Sequence, residues 1–344
     1  MTETAPIADG AKSAPPRGIV VIGASAGGVE ALTGVAASLP ADLPFAVLVV
    51  LHMPPSAPSV LAKILDRSGP LPAHTAAHAD ILEEGHIYVA IPDHHLLVFD
   101  HRTVLSEGPT ENGFRPAINA LFRSAALAYG PRAIGVLMSG VLDDGVLGLA
   151  AIRARGGITV AQDPDDALFA DMPANALAAG VVDERVQADG LGCLLLKLAE
   201  REFEEGEMDL DPKMVLENKI AMGPRFSTTF DSELLGPPSG YVCPDCNGSL
   251  MSVSNTSYRC RVGHAWSPDA LLRARDVEVE NAMWVALRSL QEKSRLSRKL
   301  AANVGHGVLF ERYTALAEEA ERAVQVLGER LTEAYTDPDV EDVS

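Results

Sequence analysis

The segment Gly18–Leu51 constrains the fold more than any other part of the chain. Gly18–Gly23 (GIVVIG) is a short apolar run rich in β-branched residues and reads as a buried strand. Gly28–Leu39 then places Val29, Leu32, Val35 and Ala36 on one helical face, and Phe45–Leu51 (FAVLVVL) is a second buried strand. Strand, helix, strand over so short a span is a βαβ unit, which implies parallel pairing and a right-handed crossover.

The pattern continues downstream. Ile87–Ile91 and Leu96–Phe99 flank Pro92-Asp93-His94-His95 and read as a hairpin. Pro116 opens a helix striped with Ile118, Leu121, Phe122 and Ala125. Ala133–Met138 is another buried strand, followed by a helix over Val146–Arg155 and a strand over Ile158–Ala161. The predicted fold class is α/β: a doubly wound, mostly parallel sheet with helices on both faces.

With 344 residues, 47% of them hydrophobic, the chain has material for more than one core. The expected boundaries are a disordered N-terminus over 1–17, a catalytic domain over 18–190 and an acidic linker over 191–240. A metal-binding module over 241–268, a helical pair over 269–335 and a loose tail over 336–344 follow. A net charge of −19 disfavours nucleic acid and anionic membrane surfaces as partners. No apolar run reaches the ~20 residues of a spanning helix, and no secretory signal is visible. The cysteine pattern suits a reducing cytoplasm better than a disulfide framework.

Three polar residues end three of the expected strands. Ser25 lies in the turn Gly23-Ala24-Ser25-Ala26-Gly27-Gly28, His52 follows FAVLVVL, and Asp144 follows the strand Ala133–Met138. In a parallel sheet those carboxyl ends share one edge, so hydroxyl, imidazole and carboxylate would face one crevice. A serine hydroxyl needs a base to take its proton, and imidazole suits that work near neutrality. A carboxylate on the far nitrogen would hold the tautomer. The Gly-rich turn alone fits an oxyanion or a phosphate equally well. It lacks the second glycine of the G-x-G-x-x-G fingerprint and differs from the G-x-S-x-G elbow.

At these residues the chain resembles the CheB family of chemotaxis receptor methylesterases. The likeness covers roughly residues 17–190: IGASAGG around Ser25, VVLHMP around His52, RPAINALFRSAA from Arg115, LMSGVLDDG around Asp144, then AQDP from Ala161 and MPANA from Met172. It implies a doubly wound α/β fold and a serine hydrolase that removes methyl groups from glutamyl methyl esters of chemoreceptor-like signalling proteins. Methanol would be released, and glutamine deamidation is a second expected activity. Ser25 becomes the nucleophile, His52 the general base and Asp144 its orienting partner, with backbone N–H groups at Ala26 and Val141 for the oxyanion and no cofactor for catalysis. Arg115 is open to two readings, a clamp for a substrate carboxylate or the partner of an acidic neighbour. Ser139-Gly140-Val141-Leu142 departs from the family's usual Thr-Gly-Met-Gly. Only 17 residues precede the first strand, too few for the family's phospho-receiver domain, so a stand-alone form is expected. The alternative function is a non-catalytic signalling scaffold.

Cys243-x2-Cys246 and Cys260-x3-His264 supply three thiolates and one imidazole, the donor set of a closed structural zinc site. Tyr241, Tyr258 and Trp266 are candidates to cover its small core. Stand-alone relatives carry a similar segment ahead of a helical tail. Beyond it, Leu271, Trp284, Leu287, Leu296 and Leu300, then Phe310, Leu316, Leu327 and Leu331, recur at helical spacing. They predict an antiparallel helix pair that packs on itself, with dimerisation as the alternative use. His94, His95 and His101 read as solvated turn residues, and Cys193 as a small buried one.

Overall fold

A computed structural model of the chain describes residues 16–56, 58–202, 210–223 and 232–335. The expected loose ends at 1–15 and 336–344, and the most acidic part of the linker, lie outside the described residues. The chain divides into a unit over Met1–Ala270 and a unit over Leu271–Ser344.

The first unit is built on a seven-stranded sheet. The strands are β1 (Gly18–Ala24), β2 (Phe45–Leu51), β3 (Ala73–Thr75), β4 (Ile87–Val89), β7 (Ala133–Leu137), β8 (Ile158–Gln162) and β9 (Glu184–Val186). They lie in the order β3-β4-β2-β1-β7-β8-β9, and every pair is parallel. β1 and β2 are fully buried, as their continuous apolar runs require. Alternate residues feed opposite faces. Val20, Ile22, Val47 and Val49 pack under α1 (Gly28–Ser38), α2 (Leu61–Ser68) and α6 (Leu191–Ala199). Ile19, Val21, Leu48 and Val50 pack under α3 (Ile118–Tyr129), α4 (Val146–Ala154) and α5 (Asp171–Ala178). Ile118, Leu121 and Phe122 are completely buried on α3, each contributing about 2 kcal/mol of transfer free energy. The chain leaves β1 in one direction through β2 and the other half of the sheet grows from β7. The switch point therefore lies between β1 and β7, where such sheets open a crevice at their carboxyl edge.

Several details differ from the sequence reading. β4 joins the main sheet in parallel, and the hairpin is instead formed by β5 (His95–Phe99) and β6 (Arg102–Ser106). Its two turn residues, Asp100 and His101, both have positive φ, the twist that suits a two-residue hairpin. Val29 is 37% exposed and lies off the packed face of α1. His95 is fully buried: its Nδ1 accepts from the Ala117 N–H and its Nε2 donates to the Pro109 carbonyl. Cys193 is exposed. The segment expected to begin the linker is helix α6, whose Leu191 and Leu195 belong to the core. A second helix, α7 (Pro212–Ala221), is capped by the Asp211 carboxylate on the Lys213 N–H.

A four-stranded antiparallel sheet completes the unit: β10 (Pro238–Val242), β11 (Ser249–Ser254), β12 (Ser257–Cys260) and β13 (Ala265–Trp266). The second unit consists of helix α8 (Pro268–Val304), most of whose length it holds, and α9 (Val308–Tyr335). Glu321 on α9 accepts from Ser294 and Arg298 on α8. The seam is built largely from small residues, Ala301, Ala317 and Ala320, while Trp284 and Leu296 are exposed. No described helix is long and apolar enough to cross a membrane.

Candidate active site and metal cluster

Ser25 follows β1 and is half-buried. Its N–H donates to the Ser139 carbonyl at 2.9 Å, and its own carbonyl accepts from the Gly28 N–H at 2.9 Å, closing the turn into α1. Gly27 has φ +67°, and a Cβ there would lie 2.7 Å from Ser139 Oγ. A Cβ on Gly140 would lie 2.2 Å from Met172 Sδ and 2.8 Å from Ser25 Cβ, so that glycine lets the two strand-end loops close on each other.

His52 is positioned by its own N–H, which donates to the Ala24 carbonyl at 3.0 Å. Its ring stacks on Phe114 with centroids 3.7 Å apart and planes 6° from parallel. Nε2 lies 2.8 Å from Asp144 Oδ2 and Nδ1 lies 3.2 Å from Ser25 Oγ. An ionised carboxylate only accepts, so Nε2 carries the proton and Nδ1 accepts from the serine hydroxyl. The ring is therefore used in the reverse sense from the chymotrypsin arrangement, where Nδ1 faces the aspartate.

The His52 and Asp144 side chains are only 4% and 2% exposed. Asp144 also accepts from the first two amides of α3, Ile118 N–H at 2.8 Å and Asn119 N–H at 3.2 Å. A carboxylate at a helix N-terminus is held by orphan donors and by the helix dipole. The Asn119 Oδ1 accepts from Gly145 and Gly148, locking the loop that carries Asp144. Leu142 stands at φ +65°, a left-handed conformation that costs an ordinary side chain on the order of 1 kcal/mol. Asn175 Nδ2 donates to its carbonyl at 2.8 Å.

The three strand-end residues are thus brought together. The N–H groups of Ala26 and Val141 make no hydrogen bond among the described residues. Arg115 is committed elsewhere: its guanidinium pairs with Asp93 and donates to the Glu107 and Gly108 carbonyls. Of its two readings, the structure shows the acidic neighbour. Phe114, Asn119 and Asn175 have no role in the sequence reading, and Ser139 enters it only as part of the departure Ser139-Gly140-Val141-Leu142. Asn119 carries the one usable signal, an amide on the otherwise apolar first turn of α3.

Asp143 next door has a carboxyl raised to about 6 from 3.8, chiefly by burial. The hydrogen bond from Ser267 Oγ (2.7 Å) pulls the other way, and Asp144 and Asp269 add to the rise.

The ligand atoms of Cys243, Cys246, Cys260 and His264 lie within 4.8 Å of one another. Cys246 Sγ is 3.6 Å from Cys260 Sγ, and His264 Nδ1 is 3.5 Å from Cys260 Sγ and 3.7 Å from Cys243 Sγ. Zn–S bonds of about 2.3 Å and Zn–N bonds of about 2.0–2.1 Å give tetrahedron edges of about 3.5–3.8 Å, so the quartet fits that ion. Tyr241 and Tyr258 meet edge to face at 5.4 Å beside it, and Trp266 is buried.

Fold and side-chain relay together define an α/β protein of the serine–histidine–aspartate class. Residues 20–195, just over half the chain, match the model of the CheB methylesterase family, and the chain belongs to that family. It is 42% identical over 179 residues to "Protein-glutamate methylesterase/protein-glutamine glutaminase 3" of Anaeromyxobacter dehalogenans, covering 51% of this chain and 52% of that one. It is 37% identical over 190 residues to "Protein-glutamate methylesterase/protein-glutamine glutaminase 2" of Methanosarcina mazei, covering 53% and 52%. The chain thus spans about half the length of these curated relatives. Among solved structures it is similar to the Thermotoga maritima CheB methylesterase catalytic domain, with TM-score 0.51 and 30% identity, covering 53% of this chain and 98% of that one.

Proposed function

We propose that the chain hydrolyses glutamyl methyl esters on a chemoreceptor-like signalling protein, releasing methanol. The observation that supports this best is the continuous contact from Ser25 Oγ through His52 to Asp144 Oδ2, at 3.2 and 2.8 Å, on the carboxyl edge of the sheet. Ser25 Oγ attacks the ester carbonyl carbon while His52 Nδ1 takes its proton. Charge on the carbonyl oxygen is met by the free N–H groups of Ala26 and Val141. Collapse of the tetrahedral intermediate breaks the C–O bond, and methanol leaves with the proton from His52. Water, deprotonated by the same nitrogen, then attacks the acyl–Ser25 ester and frees the carboxylate and the serine. Asp144 stabilises the imidazolium through both halves. A glutamine side chain enters the same path with ammonia as leaving group. The reaction draws on no metal. The Cys/His quartet holds zinc with all four positions filled by protein, and its contribution is structural. A cytoplasmic location accords with three thiols kept as ligands.

The test is methanol release from a methyl-esterified receptor. Wild-type protein is expected to release it, and Ser25→Ala or His52→Ala to lose about 10⁴-fold or more in rate. Wild-type rates in both variants, or no release by the intact protein, would leave the signalling-scaffold alternative.

A further inference from the structure

The segment after β8 is tied to the Ser139–Gly140 loop at both of its ends. At the first, the buried Gln162 accepts from the Ser139 N–H through Oε1 at 2.8 Å and donates through Nε2 to Asp166 Oδ2 at 2.8 Å. Asp166 Oδ2 also accepts from the Ala188 N–H, and the Asp166 and Ala167 N–H groups both donate to the Asp163 carbonyl. At the second, the Phe169 N–H donates to Ser139 Oγ at 2.9 Å and the Phe169 carbonyl accepts from the Gly140 N–H at 3.0 Å. Ser139 Oγ donates in turn to the Ala26 carbonyl at 2.8 Å. One hydroxyl thus registers this segment against the residue that follows the nucleophile.

Leu168 sits inside that frame and projects out of it. At 68% it is the most exposed large apolar side chain among the described residues of the first unit. Its Cβ lies 2.8 Å from where a Cβ on Gly27 would stand, so it packs over the turn that carries Ser25. A lone exposed leucine is ordinary on a protein surface and marks nothing by itself. This one is displayed beside the nucleophile on a backbone fixed on both sides. Covering it removes apolar area from water with little backbone left to order. A protein substrate that brings an ester to Ser25 comes against it.

Given ester hydrolysis at Ser25, on which this rests, we infer that Leu168 is a specificity-determining residue. It takes an apolar side chain that flanks the esterified glutamyl residue of a protein substrate. Segments with an apolar flank are therefore favoured over segments with a polar one.

Two synthetic peptides test this, each carrying one glutamyl methyl ester and identical except for leucine or serine on both sides of it. Methanol release by the full chain is expected to give a kcat/KM roughly tenfold higher for the leucine peptide, with the difference residing in KM. Leu168→Ser should bring that ratio to about one, and Leu168→Ile should keep it. A perturbed loop would slow both peptides alike, so the ratio separates recognition from structure. Equal kcat/KM for the two peptides in wild type, or an undiminished ratio in Leu168→Ser, overturns the inference and leaves ester hydrolysis standing. Release from neither peptide by the wild-type chain contradicts ester hydrolysis itself, and the role of Leu168 falls with it.

Discussion

At the scale of single residues, the site is a set of mutually constrained loops. Ser25 is fixed through the Ser139 carbonyl, and Ser139 in turn donates to the Ala26 carbonyl and accepts from the Phe169 N–H. His52 is fixed by Phe114 on its face and Asp144 at its edge. Asp143 shows what such packing costs. Its carboxyl titrates near 6 in the folded chain against 3.8 ordinarily, so the protonated form favours the fold. That contribution is present in full below about pH 4 and is lost as pH rises through 6. Asp143→Asn keeps an acceptor for Ser267 Oγ and cannot ionise. Urea denaturation should find it more stable than wild type by about 1–2 kcal/mol at pH 8 and no more stable at pH 4. Destabilisation at pH 8 would contradict this assignment.

At the scale of elements, the sequence was most readable where one residue class filled a whole element. GIVVIG and FAVLVVL could only be central parallel strands, and residues ending such strands share an edge by topology. That is why strand order alone places Ser25, His52 and Asp144 at one edge, where the structure has them in contact. β3 and β9 have no sequence signature, because three mostly exposed residues leave no period to detect. The hairpin was misplaced because Pro92-Asp93-His94-His95 has turn composition, whereas the real turn uses Asp100 and His101 in a backbone region ordinarily given to glycine or asparagine. The His52–Phe114 stack joins residues far apart in sequence and leaves no local signal. The metal quartet was readable from spacing, but not its attachment. β13 leads from His264 to Ser267, whose Oγ donates to Asp143 and whose N–H donates to Asn112. Metal removal should therefore reach beyond the small sheet. One zinc per chain is expected by mass spectrometry. Chelation should shift the emission of buried Trp266 to the red in a Trp284→Phe background and slow ester hydrolysis. Unchanged Trp266 emission after complete metal removal would refute a folding role for the ion.

At the scale of the whole molecule, the relay and the metal quartet fall in one unit, and nearly all of the long helical pair in the other. The buried Glu111–Arg123–Arg259 cluster ties α3 to β12 inside the first unit. Breaking such a cluster typically costs about 3–5 kcal/mol, because a charge is left buried alone. A chain ending at residue 270 should thus keep its unfolding transition and its reactivity at Ser25. One ending at residue 236 loses Arg259 and Ser267 and should unfold at lower temperature, by calorimetry. Equal melting of the two truncated chains would show that the small sheet is a passenger.

The most direct test of the relay is covalent. Incubation with a fluorophosphonate followed by peptide mass spectrometry should find one modification per chain, on Ser25. Its rate should fall by about 10³–10⁴ in His52→Ala and in Asp144→Asn. Labelling at another residue, or at an undiminished rate in His52→Ala, would contradict the assignment of Ser25 as a nucleophile activated by its neighbours.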